Sequence, residues 1–332
     1  MEIDFKHSQT AHCESGVLSN LLAHHGIHLS EAMAFGIGAG LFFAYVPFIR
    51  VNNLPLTTFR SATGDIIRKN AKHLGVHLVR YRFKDPEEAM DALDRKLAQG
   101  VPVGCQTGGY WLPYFPEAYR FHFNMHNLVV YGRTGNEYAV SDPIFPEPVT
   151  ISRKDLKKAR FAQGALAPKG RMYFIQSVPD EVDLAGSIHA GIRKASRLML
   201  KSPLPIIGIK GMHFLANRLA GWPRKLGRER ALLCLGQVIR MQEEIGTGGG
   251  GFRFMYSAFL QEAAQVMDDG ALARLSRELT RVGDRWREFA VLGARNCKGR
   301  ASARETFPVM AEILQDCAER ERAIYRDLLA TV

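Results

Sequence analysis

Apolar positions fall at helical spacing in residues 14–25, where Val17, Leu18, Leu21 and Leu22 share one side and Gly26 stops the run. Ser30-Glu-Ala-Met opens a second short helical segment. A glycine-broken apolar run, 35–43, follows and reads as packing. Residues 64–73 suit a helix and 76–83 a strand. Asp85-Pro-Glu-Glu supplies a cap, a proline at the first helical position and acids at the positive dipole end, which predicts a helix over 86–98. Residues 101–105 read as a buried strand. Residues 127–131 and 137–140 flank Gly132-Arg-Thr-Gly-Asn as a hairpin. A capped helix at 152–159 and a strand at 171–176 close this half.

Beyond Asp183 the pattern is almost purely helical: 188–200, 231–244, 254–267, 271–292 and 307–329 each carry one apolar side. Pro203 with Pro205, Gly221-Trp-Pro and the glycine run 246–251 separate them. The expected fold class is α+β followed by an all-α helical domain, with domains at 1–178 and 179–332 and the boundary at Val178-Pro-Asp.

A chain of 332 residues can bury two ordinary cores, and 46% apolar with 23% charged residues is a globular composition. No uncharged apolar run reaches about 18 residues, and residues 1–8 hold no apolar signal core, so a cytoplasmic protein without a transmembrane segment is expected. Cys13, Cys105, Cys234, Cys297 and Cys317 are odd in number and scattered, which excludes a disulfide framework. The formal charge of +11 is uneven. Residues 193–230 hold ten Lys or Arg against Glu229 alone, and Arg153, Lys154, Lys157, Lys158, Arg160, Lys169 and Arg171 face only Asp155. Such stretches attract an acidic protein, a nucleic acid or an anionic membrane, or serve solubility.

Three residues form a candidate nucleophile set. Cys13 heads the first helix, His126 opens a strand, and Asp142 ends the partner strand, with Pro143 turning the chain away. A thiol attacks as its thiolate, which a helix N-terminus and an imidazole both favour, and a carboxylate fixes the imidazole's tautomer. The order cysteine, histidine, aspartate is that of a papain-like site acting through a thioester. The competing reading is an inert buried thiol, a strand-end histidine and an Asp-Pro turn. An oxyanion needs donors, and the Cys13 N–H, Gln9 and His12 are the candidates. The histidines at 7, 12, 24, 25 and 28 match no zinc spacing, so no metal is expected.

Tyr110, Trp111 and Tyr114, in a loop rich in glycine and proline, either wall a cleft or fold over the core. The run Gly246-Thr-Gly-Gly-Gly-Gly-Phe-Arg253 lacks the Gly-Lys-Ser/Thr ending of a phosphate loop and follows a helix. It is either a flexible helix–helix turn or an anion site using Arg253. Tyr256, just beyond, is a further candidate substrate contact.

His12-Cys13-Glu-Ser-Gly-Val-Leu-Ser-Asn-Leu-Leu, the segment from Ser30 to Tyr45, and His126-Asn-Leu-Val-Val-Tyr-Gly with Asp142-Pro resemble the amino-terminal domain of the butirosin-pathway acyltransferase family. Thr247-Gly-Gly-Gly-Gly-Phe-Arg-Phe-Met-Tyr-Ser-Ala-Phe-Leu resembles the helical domain that often accompanies it. More distantly, the cysteine, histidine and Asp-Pro order is similar to that of bacteriocin-processing papain-like peptidases. Those carry a glutamine six residues before the cysteine, where this chain has His7; Gln9 lies only four before.

The resemblance implies a papain-like first domain and acyl transfer from the phosphopantetheine thioester of an acyl carrier protein. The acyl group would pass through Cys13 to a small amine-bearing acceptor. No cofactor is held by the enzyme itself. The helical domain would serve as lid and as docking surface for the acidic carrier. A peptidase or amidase using the same residues, or a non-catalytic binding protein, are the alternatives. Nucleic acid is not expected, because the basic stretch has few interleaved aromatics and no reading motif. The oligomeric state, homo-oligomer included, stays open.

Overall fold

A computed structural model describes residues 2–51, 53–117, 120, 122–245 and 248–332. The chain forms two compact units, Met1–Ala34 with Ile66–Val182, and Phe35–Asp65 with Asp183–Val332. The later passage between the units falls at Val182. Segment 35–65, however, groups with the helical residues and not with its neighbours in sequence.

The first unit is α+β. It holds α1 (Cys13–His24), the start of α2 (Glu31–Ile37), α3 (Asp65–His73), α4 (Pro86–Ala98) and α5 (Arg153–Arg160). Its six strands are β3 (His77–Tyr81), β4 (Val103–Thr107), β5 (His126–Thr134), β6 (Glu137–Ser141), β7 (Val149–Ser152) and β8 (Met172–Ser177). They make one sheet in the order β3-β8-β4-β5-β6-β7, every neighbour antiparallel. The last strand thus inserts beside the middle of the sheet. Both faces of β4 are covered, which is why its sequence shows no alternation. The local signals act as the residues dictate: the Asp85 carboxylate accepts the Glu88 N–H at 2.8 Å, and Ser152 Oγ accepts that of Asp155 at 3.1 Å. Met90, Leu93 and Leu97 of α4 and Leu156 of α5 pack with Val103, Leu128, Val130 and Val140 into one core.

Helix α1 is buried along Cys13–Leu22 and packs on β4, β5 and β8. Small residues make that depth tolerable. A Cβ on Gly16 would lie 1.9 Å from Thr10 Oγ1 and 3.0 Å from Pro143 Cβ, so glycine lets the helix approach the turn after β6.

The second unit contains a hairpin, β1 (Leu41–Val51) with β2 (Leu54–Arg60), and α6 (Leu184–Lys201), α7 (Gly208–Leu219), α8 (Trp222–Leu226), α9 (Arg228–Glu243), α10 (Arg253–Met267), α11 (Gly270–Cys297) and α12 (Phe307–Ala330). Residues 35–43 are packed as expected, with Phe35, Ile37, Leu41 and Phe43 fully buried, and the hairpin from Leu41 is an element the sequence reading did not name. Phe43 and Phe59, one from each strand, meet the Trp286 ring at 6.0 and 5.4 Å. The glycine run is not a flexible linker over its described part: Gly248 to Phe252 all have positive φ, between 57° and 89°. A Cβ on Gly251 would lie 2.4 Å from the Phe59 ring. Glycine is required there both for the left-handed backbone and for close packing.

Candidate active site

Cys13 is the first residue of α1 and is buried. The segment before it is held rigidly. His12 caps the helix, its Nδ1 accepting the Ser15 N–H at 3.4 Å and lying 2.8 Å from Ser15 Oγ. The Glu31 carboxylate accepts the N–H groups of Ala11 and His12, both at 3.0 Å. Glu14, fully buried, accepts the Ile66 N–H at 3.1 Å at the start of α3, where the helix dipole favours a carboxylate. These contacts leave the Cys13 N–H at the first helical position, with no acceptor inside the helix.

His126 begins β5 and Asp142 follows β6, two strands paired antiparallel. The Asp142 Oδ2 accepts from His126 Nε2 at 2.7 Å. That bond fixes the orientation of the ring, and Cys13 lies close enough to raise its basicity. The sulfur lies 3.9 Å from the Met125 carbonyl. Burial alone lowers the basicity of the ring. The charge and hydrogen bond of Asp142, aided by Cys13, outweigh it and push the His126 pKa up to about 10. At neutral pH the ring is an imidazolium. Phe115 stands edge-on to it at 5.2 Å, excluding water from that side.

The carboxylate is itself anchored. Tyr114 donates its hydroxyl to Asp142 Oδ2 at 2.9 Å, and the Ile144 N–H reaches Oδ1 at 3.3 Å. Burial first, then Asp142, holds the Tyr114 pKa well above the ordinary phenol value, so it stays a donor. A strap from residues 7–10 clamps the same turn. Thr10 N–H donates to the Pro143 carbonyl at 2.6 Å, His7 Nε2 donates to that of Phe145 at 3.0 Å, and Ser141 Oγ meets His7 Nδ1 at 2.7 Å. His7 therefore steadies the aspartate's turn.

The structure pairs His126 with Asp142, sets Cys13 within electrostatic reach of the ring, and adds Tyr114, which the sequence marked only as part of a cleft wall. Gln9 is exposed and joins none of these bonds. The His12 Nδ1 is engaged as a cap. Tyr110 stacks on His122 at 4.2 Å, and Trp111 carries the Lys158 ammonium over its ring at 4.3 Å; neither touches the three residues. A 550 Å³ cavity lined by Glu2, Tyr114, Tyr131, Arg133 and Glu137 includes neither Cys13 nor His126.

Arg253 and Tyr256 are corrected as substrate contacts. Arg253 is 0% exposed: Nε and Nη2 form a two-pronged bond with the Glu321 carboxylate, both at 2.9 Å, and Nη1 donates to the Gly251 carbonyl at 2.8 Å. Trp286 adds its indole N–H to Glu321 at 2.8 Å. A guanidinium so engaged belongs to the core of the helical unit and has no face for an anion. Tyr256 is equally buried, and burial raises its pKa. Among the described residues no group of three or more His, Cys, Asp or Glu is arranged to hold a metal, and no helix is long and apolar enough to cross a membrane.

Part of the basic cluster 153–171 is engaged within its own unit, while Lys154, Lys158 and Lys169 stay exposed. Arg153 bonds Asp94, Asp91 and Glu87, Lys157 pairs with Glu87, and Arg160 is fully buried against the Ala89 carbonyl.

An antiparallel sheet against a buried helix that begins at a cysteine, with a histidine at the start of one strand bonded to an aspartate just past the end of the next, makes the first unit α+β, and the second unit is mainly helical. Residues 12–143 match the family described as Butirosin biosynthesis protein H, N-terminal, and residues 154–328 match a domain of unknown function, DUF4872. The chain belongs to the DUF4872 family. No curated protein matches. Among solved structures, the chain is similar to a protein from Bacillus anthracis described as a C39-like peptidase, at 15% identity and a TM-score of 0.39, covering 54% of this chain and all of the other.

Proposed function

We propose that this protein is a biosynthetic acyltransferase that takes an acyl group from the phosphopantetheine thioester of an acyl carrier protein and delivers it, through Cys13, to an amine. The observation that carries the reading is the Cys13, His126 and Asp142 constellation, with the imidazolium fixed at 2.7 Å from its carboxylate. The Cys13 thiolate attacks the thioester carbonyl carbon, and the helix-terminal Cys13 N–H faces the oxyanion. As the bond to the carrier sulfur breaks, His126 gives its proton to the leaving thiolate. The amine then attacks the acyl-Cys13 carbonyl and His126 takes the amine's proton. Collapse releases the amide and returns the thiolate–imidazolium pair. Asp142 stays ionised throughout and orients the ring.

Arg193, Lys194, Arg197 and Lys201 on α6 are exposed and carry no ion pair among the described residues, which suits an acidic carrier. A rate with carrier-bound donor that falls as ionic strength rises is the expected sign of such docking.

The test is product analysis after incubation with carrier-bound acyl thioesters, with and without a panel of amines. An N-acyl product formed only when an amine is present supports transfer. Free acid as the only product, whatever amine is added, assigns the same three residues to hydrolysis and overturns the proposal.

A further inference from the structure

The β1/β2 hairpin of the helical unit does not pair continuously. Val46 stands opposite Leu56, but the next partners are Arg50 and Pro55, so Pro47, Phe48 and Ile49 have no opposite number. Three residues are pushed out of the ladder as a bulge. Phe48 at its crest is 73% exposed and Ile49 48%. Leaving a phenyl ring and a branched aliphatic chain in water is unfavourable, and contiguous exposure of this kind marks a surface that something covers.

The charged groups at the hairpin turn, on α8 and at the start of α9 are basic apart from Glu229. Arg230 donates to the Asn53 carbonyl at the hairpin turn, which ties the turn to the start of α9. Arg50 and Arg230 both act on Cys234. Arg224 and Lys225 on α8 and Arg228 at the head of α9 are exposed and form no ion pair among the described residues. Between them Leu226 is 44% exposed. Glu229 is the one acid from residue 218 to 230.

We infer that this end of the helical unit is a peripheral anchor for an anionic bilayer surface. Phe48 and Ile49 enter the interfacial region while Arg50, Arg224, Lys225 and Arg228 meet lipid phosphates. A second copy of the chain is disfavoured, because pairing this face with itself opposes like charges. An acidic protein would satisfy the cations. It would also need a pocket shaped to a crest that projects from the ladder, whereas lipid admits a projecting side chain without complementarity. This inference is independent of the acyl-transfer reading.

The experiment is co-sedimentation of the full chain with vesicles of phosphatidylcholine alone and of phosphatidylcholine mixed with phosphatidylglycerol. Partition into the anionic vesicles only, falling as salt rises, is expected. Phe48→Ser with Ile49→Ser, and separately Arg224→Glu with Lys225→Glu and Arg228→Glu, should each reduce partition by about tenfold or more, while thermal unfolding confirms that the variants are folded. Phe48→Trp supplies a second reading: its emission should shift to the blue with anionic vesicles. Absence of vesicle binding by the wild type, binding that both variant sets leave unchanged, or saturable binding of this face to an acidic carrier protein in place of vesicles would each overturn the inference.

Discussion

The positions of Cys13, His126 and Asp142 at a helix start, a strand start and an Asp-Pro stop were legible in the sequence because each pattern is local, and the His126–Asp142 bond follows from the pairing of their strands. Tyr114, His7 and Glu31 were not, since their contacts with the Asp142 turn and the Cys13 segment join residues 20 to 138 positions apart. Tyr114→Phe removes one donor from a buried carboxylate. It should cut turnover by about tenfold with little change in KM, and move the alkaline limb of the pH profile upward, because a less shared Asp142 holds the imidazolium more strongly. The His126 pKa of about 10 lies above its ordinary 6.5. The stability it adds is therefore fully present below about 6.5 and is lost as pH rises through about 10. Thermal unfolding across that window should show the decline, and His126→Gln should remove this part of it. Turnover in the wild type should fall over the same alkaline range as the proton donor disappears.

At the scale of elements, capped and amphipathic segments read true: α4, β8 and the helices from α9 onward lie within a few residues of their expected places. The β1/β2 hairpin did not read. Leu41-Phe-Phe-Ala-Tyr-Val-Pro has no alternation, and a proline inside a run argues against a strand unless a bulge takes it, which is where Pro47 sits. The end of the glycine run likewise looked flexible because sequence does not reveal that a Phe59 ring lies against Gly251. The tight seat of α1 gives an element-level expectation. Gly16→Ala must displace Thr10, and with it the strap over the Pro143 turn. It should lower stability by about 1–3 kcal/mol, measured by denaturant unfolding, and reduce activity as well.

For the whole molecule, the split of the chain differs from a simple cut. A fragment ending at residue 178 would carry Phe35–Asp65 without the helices it groups with, exposing Phe43 and Phe59. Such a fragment should aggregate, or bind a dye that reports exposed apolar surface, where the full chain does not. Charge also reads differently at this scale. The +11 total is real, and within 153–171 only Arg153 and Lys157 pair with acids among the described residues, so exposed cations able to meet a partner remain there, at Lys154, Lys158 and Lys169, as well as on α6 to α9. Arg253 tests the division between core and site. Arg253→Ala leaves Glu321 buried without its cation and should destabilise by about 3–5 kcal/mol, a loss seen in unfolding with no selective rise in KM.

The central claim is that the Cys13 sulfur accepts an acyl group. Intact-mass measurement after brief exposure to carrier-bound acyl thioesters, without amine, tests it directly. A mass gain equal to the acyl group on the wild type, absent from Cys13→Ala and discharged on adding an amine, is the predicted result. An adduct that persists on Cys13→Ala, or none on the wild type with any carrier-bound donor, would contradict it.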